Sequence, residues 1–233
     1  MSAVTHPRFA PRRGSRPTPW WSKAVARAVE EAAYHSNDLR AGRSLARGGR
    51  VGALTIDKGS LFAAVHQGDD AWTVSIALPT LSPEASATFV ELVAAESGRI
   101  AGLLAGELAH QLVEDAEDAG VELLPYGGEF SASCSCDAWA QPCPHGLAVL
   151  TQLTWLIGDD PLALLHLRGL SREELLAALH ERTLRTPTNG RAGPDDAQDE
   201  AAAADVEVGV DAARRAARIL AGLEQGEDVS PLL

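Results

Sequence analysis

Cationic side chains are scarce over most of this chain, and lysine is scarce throughout. Only Lys23 and Lys58 are lysines among the 20 cationic residues, and residues 100–167 contain ten acidic residues but neither Lys nor Arg. Residues 1–60 have eleven cations and four acids, a charge of +7, whereas residues 61–233 carry a charge of −19. Binding to phosphates needs clustered cations, so we expect residues 100–167 not to contact nucleic acid.

Long apolar runs and a secretory leader are also lacking. No continuous apolar segment reaches the roughly 20 residues that span a bilayer. The N-terminal arginines are not followed by the apolar segment that a secretory signal contains. The three cysteines lie together at positions 134, 136 and 143, and one disulfide would leave one of them unpaired. The sequence therefore predicts a protein of the reducing cytoplasm without a membrane segment.

Sequence motifs of catalysis are missing as well. The chain contains no phosphate-binding glycine loop, no nucleophile elbow and no paired-carboxylate motif. It also lacks the glutamate after histidine and the P-C-x-x-C segment that zinc deaminases contain. These absences predict that the protein is not an enzyme.

What the sequence does contain is a short segment with three thiols and one imidazole, Cys134, Cys136, Cys143 and His145. Together they make a complete Cys₃His set for one tetrahedral zinc ion. Residues two apart on a strand point the same way, so Cys134 and Cys136 can aim both sulfurs at one ion where a strand ends. The alternatives are buried thiols that act as small apolar side chains, a disulfide, and a catalytic cysteine. Four protein ligands leave no open position, which predicts one structural zinc ion per chain.

The apolar residues 146–157 predict a buried helix directly behind this segment. Pro144 suits the first helical turn because that position needs no backbone donor. Cys143 would then cap the helix, and His145 would lean back toward the metal because helical side chains tilt toward the N-terminus. The positive end of the helix dipole favours thiolate over thiol and neutral imidazole over imidazolium. Both effects suit metal binding.

At these residues the chain resembles a SWIM-type zinc finger, with C-x-C, six residues and C-x-H before an apolar helix. The motif with its helix covers about one tenth of the chain. The flanks are also similar to bacterial SWIM proteins, from Gly42 to Gly49, at Asp160-Pro161-Leu162, and from Leu167 to Ser171. The resemblance implies the four ligands already named, a ββα zinc module that binds DNA or other proteins, and a setting in DNA transactions beside a SWI/SNF-type ATPase.

The rest of the sequence predicts an α+β fold, with small antiparallel strands, helices and the ββα zinc module. Alternating apolar residues predict strands between residues 49 and 78, with a hairpin turn at 67–70. Two further strands are predicted at 121–124 and 129–133. The predicted helices outside the zinc segment cover residues 20–34, 83–95, 97–118, 160–167 and 171–182.

Four segments follow from these predictions. Residues 1–36 form a basic N-terminal arm, flexible to residue 19, and a short helix, and residues 37–118 form an α+β region. Residues 119–183 form the zinc finger with its following helices, and residues 184–233 form a flexible linker with an amphipathic helix at 211–223. The pair Trp20-Trp21 is a core contact or, as the less favoured alternative, a base-stacking site.

The leading functional hypothesis is a non-enzymatic protein-interaction adaptor built on the zinc module. The alternative is direct DNA binding through the basic N-terminal segment, because the zinc region itself has no cation. The arginines that this alternative depends on are Arg8, Arg12, Arg13 and Arg16, joined by Arg43, Arg47 and Arg50.

Overall fold

A computed structural model describes residues 3–14 and 18–185 of the chain. It contains one five-stranded antiparallel sheet and eight α-helices in that part of the chain. The predicted α+β class is therefore confirmed. The linker at 186–205 and the helix at 211–223 lie outside the described residues, and the predicted segment boundaries stay predictions.

The sheet follows chain order from edge to edge, and each strand is antiparallel to its neighbour. Side chains alternate along the strand Ser60–Gln67: Leu61, Ala63 and Val65 are buried and the residues between them are exposed. The hairpin predicted at 67–70 is confirmed, and Gly68 takes the positive φ of +65° that the tight turn requires. The strands are β1 (Val4–His6), β2 (Leu54–Asp57), β3 (Ser60–Gln67), β4 (Asp70–Ala77) and β5 (Ser131–Cys134).

Helix α6 (Pro144–Asp159) is buried along most of its length. It contacts α1 (Trp20–Ala32), α2 (Ser36–Arg47), α7 (Leu162–Leu167) and strands β3, β4 and β5, whereas α3 (Pro83–Ala94) packs on α4 (Ser97–Leu104) and α5 (His110–Asp118). Gly42 of α2 permits the closest approach, since a Cβ added there would lie 2.7 Å from the Cβ of Leu147. The eighth helix in the described residues is α8 (Arg172–Arg185).

Two elements differ from the sequence prediction. The single helix predicted at 97–118 is two helices, because Gly106 adopts a φ of +84° after α4 and ends it. The strand predicted at 121–124 pairs with no strand in the described part of the chain. Its apolar residues Val121 and Leu123 are buried as expected, but the carbonyl of Leu123 accepts a hydrogen bond from the Arg168 side chain at 3.1 Å.

The N-terminal arm is not a flexible segment in the part that the structure describes. Residues Val4–His6 form the edge strand β1, paired with β2. Beyond it, the backbone amide of Arg12 donates to the carbonyl of Arg47 at 2.9 Å. Main-chain pairing of this kind needs no apolar pattern, which is why the composition of the arm did not predict it. Helix α2 was likewise not predicted, since its polar sequence shows only Gly42 and Ala46 buried.

A buried ion pair fixes the start of β5. The Arg168 guanidinium donates to both carboxylate oxygens of Glu129 at 2.8 and 2.9 Å, and the two side chains are 3% and 10% exposed. Arg168 also donates to the carbonyl of Pro79 at 2.9 Å. This arginine therefore joins the segment after β4 to the segment before β5, and so positions the strand that leads into the cysteines. No helix in the described residues is long and apolar enough to cross a membrane.

Candidate metal centre

The two-residue spacing of Cys134 and Cys136 is held by the neighbouring strand. Cys134 ends β5, opposite Val74 of β4. The chain stays extended one residue further, because Ser135 donates its amide to the carbonyl of Thr73 at 3.0 Å, and its hydroxyl accepts from the Thr73 amide at 2.9 Å. Residues two apart on such a segment share a face. Both thiols therefore point to the same side of the sheet.

The other two residues of the cluster belong to the start of α6. Cys143 is the N-cap residue, and its carbonyl accepts from the amide of Leu147 at 2.9 Å. Pro144 occupies the first helical position, as the sequence predicted. His145 follows in the first turn, where side chains tilt back toward the helix N-terminus. Cys143 and His145 are buried, with 1% and 8% exposure, whereas Cys134 and Cys136 are half-buried.

The structure brings all four residues together. One ligand atom from each residue lies within 4.8 Å of all the others. The sulfurs of Cys136 and Cys143 are 3.6 Å apart, and Nδ1 of His145 lies 3.7 Å from the sulfur of Cys134 and 3.9 Å from that of Cys143. A tetrahedron with Zn–S bonds of about 2.3 Å has edges of roughly 3.8 Å. The donor set could hold a metal ion of that size, and no second cluster of this kind exists in the described residues.

The orientation of the imidazole also fits a metal ligand. Nδ1 of His145 faces the sulfurs, while Nε2 lies 2.7 Å from the side-chain oxygen of Gln67. An amide oxygen only accepts, so Nε2 carries the proton and Nδ1 has the free electron pair that a metal needs. The ring of Trp72 stacks on the imidazole with centroids 5.6 Å apart. Sequence reasoning missed Gln67, which sits at the end of β3, distant in the chain from the cysteines.

The electrostatics of the cluster favour neutral side chains unless a cation is bound. Burial raises the pKa of Cys134 to about 12, and burial also raises the pKa of Cys143. Burial lowers the pKa of His145, which keeps its imidazole neutral. Thiols with such pKa values are poor nucleophiles near neutral pH. A divalent cation would reverse the preference, because coordination deprotonates a thiol outright.

The other histidines lie elsewhere. His66, His110 and His180 are exposed, and His110 contacts the ring of Trp20 and a carboxylate oxygen of Glu114. His166 is buried in α7 at 9% exposure. None belongs to the candidate metal cluster, and the sequence analysis had not assigned a ligand role to them.

The basic N-terminal segment is partly used in packing. The Arg12 guanidinium lies 4.2 Å from the ring centre of Trp155, and Nη2 lies 3.6 Å from a carboxylate oxygen of Asp159. Arg8 donates to the carbonyl of Gly49, and Arg43 pairs with Glu30. Arg13, Arg47 and Arg50 are exposed, and Arg16 is outside the described residues. Trp20 and Trp21 are core contacts, whose indole N–H groups donate to the carbonyls of Leu108 and Ile157 at 3.1 and 2.9 Å.

A group of exposed aromatic side chains beside the candidate metal centre was not foreseen. Trp139, in the loop between Cys136 and Cys143, is 79% exposed, and Tyr34 is 65% exposed. Their ring centres are 5.3 Å apart, and His35 lies 4.6 Å from Tyr34 and 6.3 Å from Trp139. The sequence signal that could have found the group is a tryptophan placed between two ligands, where a polar residue would suffice.

Comparison with known proteins adds one relative. The chain is similar to the uncharacterized protein Rv2102 of Mycobacterium tuberculosis, with 34% identity over 170 residues. The similar region covers 72% of this chain and 61% of that protein, so the chain spans about three-fifths of the relative's length. No family model matches the chain. No solved structure matches it either.

Proposed function

We propose that the chain is a zinc protein of the SWIM type that acts as a non-enzymatic adaptor between proteins in a DNA-associated process of the cytoplasm. One observation carries the proposal: three sulfurs and an imidazole nitrogen converge within 4.8 Å of one another. Soft thiolates with one imidazole suit zinc better than the oxygen-loving cations Mg²⁺ and Ca²⁺. The resemblance of the motif to SWIM fingers points to the same ion.

The proposed role of the ion is structural. Four protein ligands complete a tetrahedral shell, so no position remains for a water molecule or substrate. The ion would join the end of β5 to the start of α6, and the loop between them contributes only Pro142 and Cys143 to the buried residues. A loop with so little apolar burial gains its order from the metal. In this interpretation β4, β5 and α6 make up the ββα module.

The adaptor role rests on the surface around the proposed ion. Residues 100–167 carry acids and no cation, so the exposed residues of this segment offer no counter-charge to phosphates. The exposed Trp139 and Tyr34 are residue types that concentrate binding energy at protein interfaces. The partner that the resemblance suggests is a SWI/SNF-type ATPase.

The second candidate function is DNA binding through the basic N-terminal segment. The observation that favours it is the docking of the arm on α2, where the Arg12 amide bonds the Arg47 carbonyl. This contact places the exposed side chains of Arg13 and Arg47 along one cleft of about 760 Å³. Arginines gathered on one surface are what phosphate binding needs.

Metal analysis joined to partner capture tests the leading proposal. Elemental analysis of the purified full chain should find one zinc ion per chain, and a folded metal-free protein or a native disulfide between Cys134 and Cys143 would contradict it. Affinity capture from the source cells should recover an ATPase with the wild-type chain and lose it with Cys136→Ser, while the exposed substitution Ser133→Ala retains it.

A titration with duplex DNA at several salt concentrations tests the second candidate. The logarithm of the affinity should fall with a slope of about −0.9 per phosphate neutralised. Substitution of Arg13 and Arg47 by Gln should weaken binding and flatten that slope, with the zinc content unchanged. If the arginine variants bind DNA as the wild type does, the second candidate is wrong.

A further inference from the structure

Tyr34, His35 and Trp139 form an aromatic surface, and its exposure shows that these rings contribute little to the buried core. Trp139 is 79% exposed and Tyr34 is 65% exposed, although each could bury roughly 150–250 Å² in a core. The three rings contact one another nearly at right angles, with interplanar angles of 86° between Tyr34 and His35 and 79° between Tyr34 and Trp139. Each ring therefore rests an edge on a neighbour and leaves another face open to solvent.

This aromatic surface is built from two parts of the chain that only the fold brings together. Tyr34 and His35 connect α1 to α2, and Trp139 lies in the loop between Cys136 and Cys143. A metal ion held by those two cysteines closes that loop at both ends. Its presence would therefore fix the position of Trp139 against Tyr34.

The charges around the aromatic surface select the kind of ligand. Residues 28–39 and 126–139, which carry the three rings, contain five acidic residues, and the exposed Arg27 and Arg40 border the first of these segments. Arg40 donates to the side-chain oxygen of Asn37. Of these acids, Glu30 and Glu31 pair with Arg43 and Arg27, and Glu129 pairs with Arg168. Asp137, two residues before Trp139, is exposed, and Asp38 is half-buried. At Trp139, an anionic ligand meets no cation from residues 100–167, whereas a cationic one meets the Asp137 carboxylate and an open aromatic face.

We propose that the aromatic surface binds an arginine-bearing, extended segment of a partner protein, with a guanidinium against the open face of Trp139. An arginine over a tryptophan face is attracted by the ring quadrupole, and Asp137 supplies the opposite charge at its side. The surface is open rather than a closed pocket, which suits a peptide better than a small molecule. The inference rests on the proposed adaptor function and names the surface and the chemistry that such a partner would meet.

Fluorescence anisotropy with defined peptides tests the proposal on the full, zinc-loaded chain. The probe is a labelled glycine–arginine repeat peptide, compared with a peptide in which neutral citrulline replaces arginine and with oligothymidylate. We expect the arginine peptide to bind best. Trp139→Ala should weaken that binding roughly 2- to 30-fold, and Trp139→Phe should restore part of it.

Matched controls separate this surface from general charge attraction. Phe62→Ala removes an exposed aromatic ring on β3, 45% exposed, and should leave the affinity unchanged. The zinc content of every variant is measured, because Trp139 lies beside the ligands. No binding of the arginine peptide, equal binding of the citrulline peptide, equal binding by zinc-loaded Trp139→Ala, or preference for oligothymidylate would each overturn the proposal.

The two proposals fail separately. A chain that holds one zinc ion and captures its partner in a metal-dependent way, yet ignores arginine peptides, supports the adaptor function and refutes the aromatic surface as its arginine site. A chain that folds without metal refutes the zinc proposal first, and the peptide titration then reports on the aromatic surface alone.

Discussion

The two ends of strand β5 are held by opposite kinds of chemistry. Before its first residue, Glu129 and Arg168 form a bidentate ion pair whose side chains are at most 10% exposed. At its last residue, Cys134 faces two more thiols and the imidazole of His145. The first arrangement is complete, because an anion meets a cation that also satisfies two carbonyls. The second joins groups that repel one another when the thiols ionise, so it calls for a cation from outside.

Loss of the candidate metal ligands should be the most destabilising change at either end of β5. Cys136→Ser, or chelation of the wild type, should remove protection from hydrogen exchange across residues 131–157. Structural zinc contributes on the order of 10 kcal/mol in isolated fingers, and we expect a smaller loss here because α6 is buried against α1 and α2. Ser133→Ala, an exposed change in the same strand, is the control. Unchanged protection would show that both ends of β5 are self-sufficient.

Breaking the ion pair should cost nearly as much without involving any metal. Glu129→Gln leaves the Arg168 guanidinium buried and without its countercharge, which typically costs about 3–5 kcal/mol. Urea unfolding of the zinc-loaded chain measures this loss. Glu91→Gln is the matched control, since the Glu91–Arg182 pair is exposed and such pairs contribute up to about 1 kcal/mol. The double variant Glu129→Gln, Arg168→Met should lose less stability than the sum of the two single variants, and an additive loss would contradict this explanation.

Gln67, at the end of β3, supports the candidate metal centre at the end of β5. Its side-chain oxygen accepts from Nε2 of His145, and loss of such an outer partner typically weakens metal affinity about 10- to 100-fold. Competition with a chelator should show this loss for Gln67→Ala. Gln67→Glu keeps an acceptor oxygen at the same position and should retain tight binding. Equal zinc affinity in Gln67→Ala and the wild type would mean that the imidazole needs no orienting partner.

The smallest loss of stability is expected at an exposed ion pair, because solvent screens the attraction between its charges. The Lys58 ammonium and the Ser171 backbone bond Glu174 and lower its pKa from 4.5 to about 2. A lowered pKa means that this stabilisation is present above pH 4.5 and is lost as the pH falls toward 2. Because the Glu174 side chain is 48% exposed, Glu174→Gln should cost at most about 1 kcal/mol at neutral pH. The difference should vanish in acid, and a difference that persists at low pH would contradict the charge explanation.

Much of the fold followed from local patterns. The hairpin at 67–70 and helix α3 follow the periodicity of their apolar residues, and the Ser171 hydroxyl accepts from the Glu174 amide at 3.3 Å at the start of the helix predicted at 171–182. Predictions from sequence patterns were wrong where the hydrogen-bond partner of a backbone group could not be read from its own segment. Leu123 has the burial expected of a strand residue, yet its carbonyl bonds an arginine side chain. Strand β1 shows the reverse, since a segment with arm-like composition pairs through its backbone.

The spacing of the candidate metal residues was informative because each pair is local. Cys134 with Cys136 depends on strand geometry, and Cys143 with His145 depends on the first turn of a helix. Distances between the two pairs, such as the 3.6 Å from Cys136 to Cys143, depend on how β5 packs on α6. The sequence could suggest that meeting only through the completeness of the Cys₃His donor set and the resemblance of the whole motif.

Residue types and their spacing were enough to identify the four candidate ligands, the local geometry of each pair and the lack of cations in residues 100–167. These properties depend on residue type and on the spacing of near neighbours along the chain, and both are fixed by covalent structure. The contacts of Gln67 with His145, of Arg168 with Glu129 and of Tyr34 with Trp139 depend instead on how distant segments pack together. Each of these contacts joins residues at least 39 positions apart, as from 129 to 168. Packing of the core, and no local pattern, brings such residues within bonding distance.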